Sequence, residues 1–282
     1  MHRLPPSAQR LARARQSDVR TSLLSASSAA GIAAVGLEPV GEAMGCVVRT
    51  PAVRKPLPNS PYLTNFDRHS EPYVAGLRAG FHDALRRLRD EAAGLHADGV
   101  VDVRLTRTDL GGADEFVALG TAVRARSKAR PRSPFTTDLC GGDVAKLMLS
   151  GWVPVQLVWA GAAHARSKYL DPQLDELRPH VRLRARLRNY EVELYTELVT
   201  NARASARNTF HGLIRLWGGD TGLVSEMSLS TWEPAEKIIA AIATVQGTVI
   251  ARFRSPGPAP SRTLTVIPLG QSAGSRCPNA GQ

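Results

Sequence analysis

The side chains best suited to hold a soft metal ion in this sequence are three cysteines, Cys46, Cys140 and Cys277. Tight binding of such an ion needs about four Cys or His ligands that converge within bonding distance. The cysteines lie far apart along the chain, and no Cys-x-x-Cys or His-x-x-x-His pair occurs. His82 and His96 fall on one predicted helix, but a rise of about 1.5 Å per residue separates them by about 21 Å. The residues alone therefore assign no metal site.

Residues for catalysis are also not grouped into a site. No glycine-rich phosphate loop of the Gly-x-Gly-x-x-Gly or Walker type is present. Asp114 and Glu115 are paired carboxylates, but adjacent residues of a strand face opposite sides of the sheet and cannot easily serve one substrate. We therefore expect a protein that is not an enzyme.

An internal repeat organises the chain. Matched residues occur in the same order in the two halves, and they pair Gly36, Pro39 and Val40 with Gly151, Pro154 and Val155. Near the end of each copy, residues 120–123 (Gly-Thr-Ala-Val) match residues 247–250 (Gly-Thr-Val-Ile). The order of these matches predicts two diverged copies of one module.

Each copy has the pattern of a short helix, a strand, a long helix and two strands. Gly36 and Gly151 end the predicted short helices, because glycine tolerates a positive φ. Apolar residues at helical spacing predict the long helices. The predicted elements are short helices at 26–35 and 141–150, strands at 39–48 and 154–163, long helices at 72–96 and 191–217, and closing strands at 100–107, 116–125, 222–231 and 240–252. The fold class is therefore α+β, as two tandem small modules, each with a sheet packed on its long helix.

Alternation within the first predicted strand places four side chains on one side, namely Val40, Met44, Cys46 and Val48. We expect Cys46 to be a small apolar strand residue there and His82 to lie at a helix surface. Trp152, Trp159 and Trp217 are expected to fill core or interface volume.

Three segments of the first copy, 36–45, 91–101 and 115–123, resemble the YbjQ-like family, whose members are described as "putative heavy-metal-binding domains". The second copy resembles it less closely, at 134–139 and 151–155. A tandem version of the family starts with Leu-Pro-Pro, as residues 4–6 do. The resemblance implies a small fold with a sheet on a long helix and ring-like assembly. It also implies a heavy metal ion as cofactor, without indicating its ligands.

The net charge of +11 raises an alternative function, binding of nucleic acid or another acidic partner. The basic residues are concentrated in tails and connections, where a solvated basic linker is the simpler interpretation. The alternation at 182–188 would place four guanidinium groups along one edge if that stretch is extended. The candidate contacts are Arg124, Arg126, Lys128, Arg130, Arg132, Arg182, Arg184, Arg186 and Arg188.

These patterns predict a mobile basic segment at 1–19, a first module at 20–126, a basic linker at 127–133, a second module at 134–254 and a disordered tail at 255–282. No apolar run approaches the length of about 18 residues that a membrane span needs. Three widely spaced cysteines imply no disulfide framework, so we expect a reducing, cytoplasmic location. The predicted function is non-catalytic binding and assembly, with self-association through sheet edges and module faces and any ligand in clefts between modules.

Overall fold

The computed structural model describes residues 22–50, 66–127, 130–167, 191–235 and 238–253. The first module contains α1 (Ala26–Ala34), β1 (Leu37–Arg49), α2 (Phe66–Gly94), β2 (Gly99–Asp109) and β3 (Asp114–Ala125). The second contains β4 (Phe135–Thr136), α3 (Gly141–Leu149), β5 (Trp152–Ser167), α4 (Glu193–Leu216), β6 (Thr221–Ala235) and β7 (Ile238–Arg252). The predicted α+β pattern of two modules is confirmed. The predicted terminal segments 1–19 and 255–282 lie outside the described residues.

Glycines end the short helices, as their positions in the sequence predict. Gly36 has a φ of +77° and Gly151 a φ of +85°, a region that residues with a side chain rarely adopt. The long helices end in the same way, at His96 with a φ of +57° and at Gly218 with a φ of +68°. Each pair of positions therefore marks equivalent points in the two modules.

Three strands of the first sheet and the three strands of the second share one topology. The first has the strand order β1-β3-β2-β4, and the second has the order β5-β7-β6. The antiparallel register places Glu42 opposite Thr121 in the first sheet and Leu157 opposite Thr248 in the second. Strand β4 follows the linker in sequence, but it pairs in parallel with β2 and so extends the sheet of the first module.

A bulge near the start of β1 changes which side chains share a face. The register shifts between Pro39 and Gly41, and the same shift occurs in β5 between Pro154 and Gln156. Val40 is therefore buried in the core, whereas Met44, Cys46 and Val48 lie on the opposite side of the sheet. The expectation that all four share one side is wrong for Val40, because the extra residue of the bulge reverses the alternation.

The sheet of the first module packs directly on α2. At the closest approach, a Cβ atom placed on Gly45 of β1 would overlap the carbonyl oxygen of Ala84 in α2. Ala84 and Leu88 are fully buried at this contact. In the second module, Leu198, Ala202, Ala206 and Phe210 of α4 are buried against β5 and β7 in the same way.

Candidate functional site

Helix α2 lies between the sheets of the two modules. The ring of Phe81 is 5.1 Å from Phe116 of its own sheet, centroid to centroid, and 5.1 Å from Trp159 in β5 of the other module. Arg78 donates a hydrogen bond of 3.4 Å from Nη2 to the carbonyl oxygen of Gly161 in the same strand. Leu157 and Trp159 share one hydrophobic cluster with Phe81. The hydrophobic cluster around α2 therefore includes residues of both modules.

Strand β5 is covered on both sides. Leu157 and Trp159 point to α2, and the alternating residues Val158 and Ala160 pack in the core around α4. A strand buried on both faces has no polar face, which accounts for the apolar run in this part of the sequence. The predicted role of Trp159 in filling core or interface volume is thereby confirmed.

A buried seam of threonines fixes β4 between the sheets. The backbone N–H of Leu157 donates to Oγ1 of Thr136 at 3.0 Å, and the hydroxyls of Thr137 and Thr248 are 2.9 Å apart. Thr248 also donates to a carboxylate oxygen of Asp138 at 2.6 Å. The three threonine side chains are fully buried, and each hydroxyl has a partner, as burial requires. The seam positions one module on the other and contains no reactive group.

Cys46 lies on the outer face of the first sheet, beside the carboxylate of Glu115. Its Sγ lies 3.4 Å from Oε1 of Glu115. Burial raises the pKa of the Cys46 thiol, and the hydrogen bond to Glu115 raises it further. A metal ion bound there would have to displace the thiol proton, because cysteine binds metal as the thiolate.

The other candidate ligands also lack the partners that a metal ion needs. Cys140 Sγ lies 3.3 Å from Asp143, a carboxylate already bound by Lys146 Nζ at 2.9 Å. His82 is exposed on α2, as expected, and lies 3.8 Å from Asp83. Within the described ranges, no group of three or more His, Cys, Asp or Glu residues could hold a metal ion. The donor set described does not fit a heavy metal, and Cys277 lies outside it.

Two of the predicted basic contacts are used within the chain. Arg124 donates to the carbonyl oxygens of Leu95 and His96 at 2.8 and 2.9 Å, and so satisfies the free carbonyls at the end of α2. Arg130 forms an ion pair of 2.7 Å with the buried carboxylate of Asp98.

The remaining basic candidates divide into exposed and undescribed residues. Arg126 and Arg132 are exposed, and Arg132 lines an open groove of about 450 Å³ beside Arg124 and Arg130. The structure therefore brings Arg124, Arg130 and Arg132 together at the end of α2. The other predicted contacts lie outside the described residues, namely Lys128, Arg182, Arg184, Arg186 and Arg188.

The paired carboxylates Asp114 and Glu115 do point to opposite sides. Asp114 is buried and binds Arg107 in a two-pronged ion pair, at 2.9 Å to Nε and 2.8 Å to Nη2. Burial lowers the pKa of Arg107, but its bonds to Asp114 and Tyr73 outweigh this and raise it. Sequence reasoning missed this pair, although the residues flank the β2–β3 turn at cross-strand spacing. It connects the hairpin to Tyr73 of α2 and occupies the carboxylate of Asp114.

One string in the sequence does have the form of a nucleophile elbow. Residues 270–274 read Gly-Gln-Ser-Ala-Gly, which fits the Gly-x-Ser-x-Gly pattern. Such a string indicates a hydrolase only when it stands between a strand and a helix with a histidine and an acid nearby. It lies outside the described residues, and we assign it no role.

Part of the first module matches a known protein family. Residues 40–126 match the YbjQ_1 family model, described as "Putative heavy-metal-binding". The match covers β1 to β3, including the outer face with Cys46 and Glu115 and the helix that both sheets share. The predicted resemblance of this part of the chain is thereby confirmed, and the match ends at residue 126.

Two curated proteins are similar to parts of the chain. The "Encapsulin nanocompartment protein" of Mycobacterium tuberculosis is 40% identical over 84 residues, which cover 27% of this chain and 32% of that protein. A "UPF0145 protein" of Archaeoglobus fulgidus is 47% identical over 57 residues, which cover 20% of this chain and 53% of that protein. The matches thus span about half or less of these relatives. Neither name describes an enzyme.

No solved structure matches this chain. Among the helices described, none is both long enough and apolar enough to cross a membrane.

Proposed function

We propose that this chain is a non-catalytic binding and assembly protein whose building block is the fused pair of modules. The observation that carries the proposal is the position of Phe81, which contacts Phe116 of its own sheet and Trp159 of the other module. The modules associate by placing a helix of one on a sheet of the other. The same type of contact, repeated between chains, builds a larger assembly. The name of the mycobacterial relative, a nanocompartment protein, supports this role.

The second half of the chain is part of the proposal, as a diverged YbjQ-like module. Its limits are 134–254, after a first module at 20–126 and a linker at 127–133. The shared strand order and the equivalent bulges at Pro39 and Pro154 support a duplication. Equivalent glycines at the ends of the short helices support it as well.

We assign no resident metal ion to the residues that the structure describes. The family description suggests one, but the Cys46 thiol has a raised pKa, and no converging donors accompany it in the described residues. Any ligand would bind at the faces and clefts between modules.

Binding of nucleic acid is the alternative function. Two of its predicted contacts, Arg124 and Arg130, are committed to bonds inside the chain. A titration with a single-stranded oligonucleotide discriminates: binding that weakens steeply with salt supports this alternative, and no binding at low salt excludes it.

Size-exclusion chromatography with light scattering tests the proposal. An assembly protein is expected to elute with a mass above 30.3 kDa, the mass of one chain. A monodisperse monomer at high concentration would contradict it.

A further inference from the structure

The second module lacks the neighbour that the first module has. Strand β5 covers the far side of α2, and β4 pairs with the outer edge of β2. In the described residues, the extensive contacts of α4 are with β5, β6 and β7 of its own sheet, and β6 forms an open edge of that sheet. The equivalent surfaces of the second module are therefore uncovered by any described element.

The uncovered side of α4 carries positive charge where α2 is apolar. Counting back from the equivalent ends of the long helices, His96 and Gly218, places Arg203 at the position of Phe81. The same count places Arg207 at the position of Leu85. Both arginines are exposed, whereas Phe81 and Leu85 are buried in the core that α2 shares with β5.

The outer face of the first sheet carries negative charge where the second sheet is apolar. Leu157, Trp159 and Ile242 form the face that packs on α2. The strand registers place Glu42 at the position of Leu157 and Glu115 at the position of Ile242. Both glutamates lie on the outer side of their sheet and are partly exposed. Two apolar residues on each side of the internal contact are thus replaced by charges, arginines on α4 and glutamates on the first sheet, whereas the apolar Met44 takes the position of Trp159.

We propose that a second copy of this chain docks the outer face of its first sheet on α4, in the way that β5 docks on α2. This rests on the proposed assembly function and names its interface. Arg203 and Arg207 of one copy face Glu42 and Glu115 of the next. Such complementary charges give a contact its orientation and disfavour other pairings.

A strand addition accompanies this contact. In the first module, β4 and the residues after it bind β2, with Thr137 N donating to Val100 O and Val103 N donating to Thr137 O, both at 3.0 Å. The sequence repeat places Ser22–Leu24 at the position of residues 137–139, just before the first helix of the next copy. Docking of a second copy brings this segment to the open edge of β6 at Thr221–Ser225. An exposed sheet edge accepts such a strand readily.

Inside the chain, the short helices α1 and α3 cross very closely. The equivalent contact between copies is looser. Gly31 of α1 approaches Gly142 of α3 so closely that a Cβ on Gly31 would lie 2.9 Å from the Gly142 Cα. At the position of Gly31, α3 has Lys146, which is exposed and bound to Asp143. The lysine prevents an equally close helix crossing between copies.

Because the two faces differ, each copy offers one of each, and association runs head to tail. Heterologous contacts of this kind close into rings or continue as open chains. The assembly therefore grows with protein concentration unless a ring closes.

Charge reversal with a mixing experiment tests the interface. One variant carries Arg203→Glu and Arg207→Glu, and the other carries Glu42→Arg and Glu115→Arg. Each variant alone places like charges opposite each other, and we expect self-association to weaken by roughly 10- to 100-fold. An equimolar mixture restores complementary charges wherever the two variants alternate, so its mass by light scattering should rise well above that of either variant alone.

Matched controls reverse charges away from the interface. Arg215→Glu lies on another side of α4, and Asp90→Arg lies on the solvent side of α2; both residues are exposed. Circular dichroism checks that every variant is folded. Unchanged association of both double variants, or variants that stay dissociated when mixed, would overturn this interface while leaving the assembly function in place. A monomeric original protein would instead overturn the assembly function itself.

Discussion

Phe81 and Trp159 pack with their ring centroids 5.1 Å apart, although one belongs to the long helix of the first module and the other to the sheet of the second. The two modules therefore share the hydrophobic cluster around α2. A shared core makes the pair a single cooperative unit, and it is this unit that the proposed assembly repeats.

Truncation of Phe81 should destabilise both modules together. Phe81→Ala removes a buried ring that contacts both sheets, and such losses cost about 3–5 kcal/mol. Urea unfolding followed by circular dichroism should show one transition at a lower midpoint. Leu216→Ala is the matched control, because Leu216 is 76% exposed on α4 and should change stability by less than about 0.5 kcal/mol. Two separate transitions, with only one shifted, would contradict a shared core.

A methyl group at Gly45 should separate β1 from α2. The new Cβ would overlap the backbone oxygen of Ala84, which cannot move aside without moving the helix. We expect Gly45→Ala to destabilise the chain by more than about 2 kcal/mol. Gly76→Ala in the same helix meets no atom within 4 Å and should stabilise by about 0.5–1 kcal/mol, since alanine favours helix. Thermal unfolding of the two variants measures the difference, and equal effects would refute the close approach.

The elements themselves could be predicted from the sequence, because local signals decide them. Gly36 and Gly151 end helices through backbone freedom alone, and the apolar spacing of the long helices is visible without tertiary information. The side of the sheet that each β1 side chain faces was harder to predict, because the bulge at Pro39–Gly41 moves Val40 to the side opposite Met44. Nothing in the alternation of side chains indicates where an extra residue is inserted.

The packing of one module on the other was not predicted, although a signal for it was present. In β5, apolar residues occupy both alternating sets, Leu157 and Trp159 as well as Val158 and Ala160. A run of this kind indicates a strand covered on both sides. Its equivalent β1 has Glu42 on one of those sides, so the two copies differ in what covers them. Recognising this requires the strand register, which only the structure supplies.

The Cys46 thiol should titrate above the ordinary range. Burial raises its pKa, and the hydrogen bond to Glu115 raises it further. The protonated thiol therefore stabilises the fold at low and neutral pH, and this contribution is lost as pH rises through the raised pKa.

The rate of alkylation by iodoacetamide as a function of pH measures this titration. The background for it is Cys140→Ser with Cys277→Ser, in which Cys46 alone reacts. The pH midpoint of the alkylation rate should be higher for the folded chain than for the same chain in urea. Glu115→Ala should lower the midpoint of the folded chain. A folded-state midpoint at or below that of the unfolded chain would show that Cys46 is a reactive thiolate instead.

Purified protein should carry no stoichiometric heavy metal once any affinity tag is removed. The described residues offer no three converging donors, and a metal ion at Cys46 would have to displace a proton that burial and Glu115 hold more tightly. Mass spectrometry of the metal content should find well below one ion per chain, unchanged in Cys46→Ser. One equivalent of a soft metal that disappears in this variant would contradict the account.

Sedimentation velocity of the unmodified protein over a wide concentration range tests the assembly role most directly. Head-to-tail association predicts species heavier than one chain of 30.3 kDa, with a sedimentation coefficient that rises with concentration or reaches a plateau when a ring closes. A single species of 30.3 kDa at every concentration would contradict it.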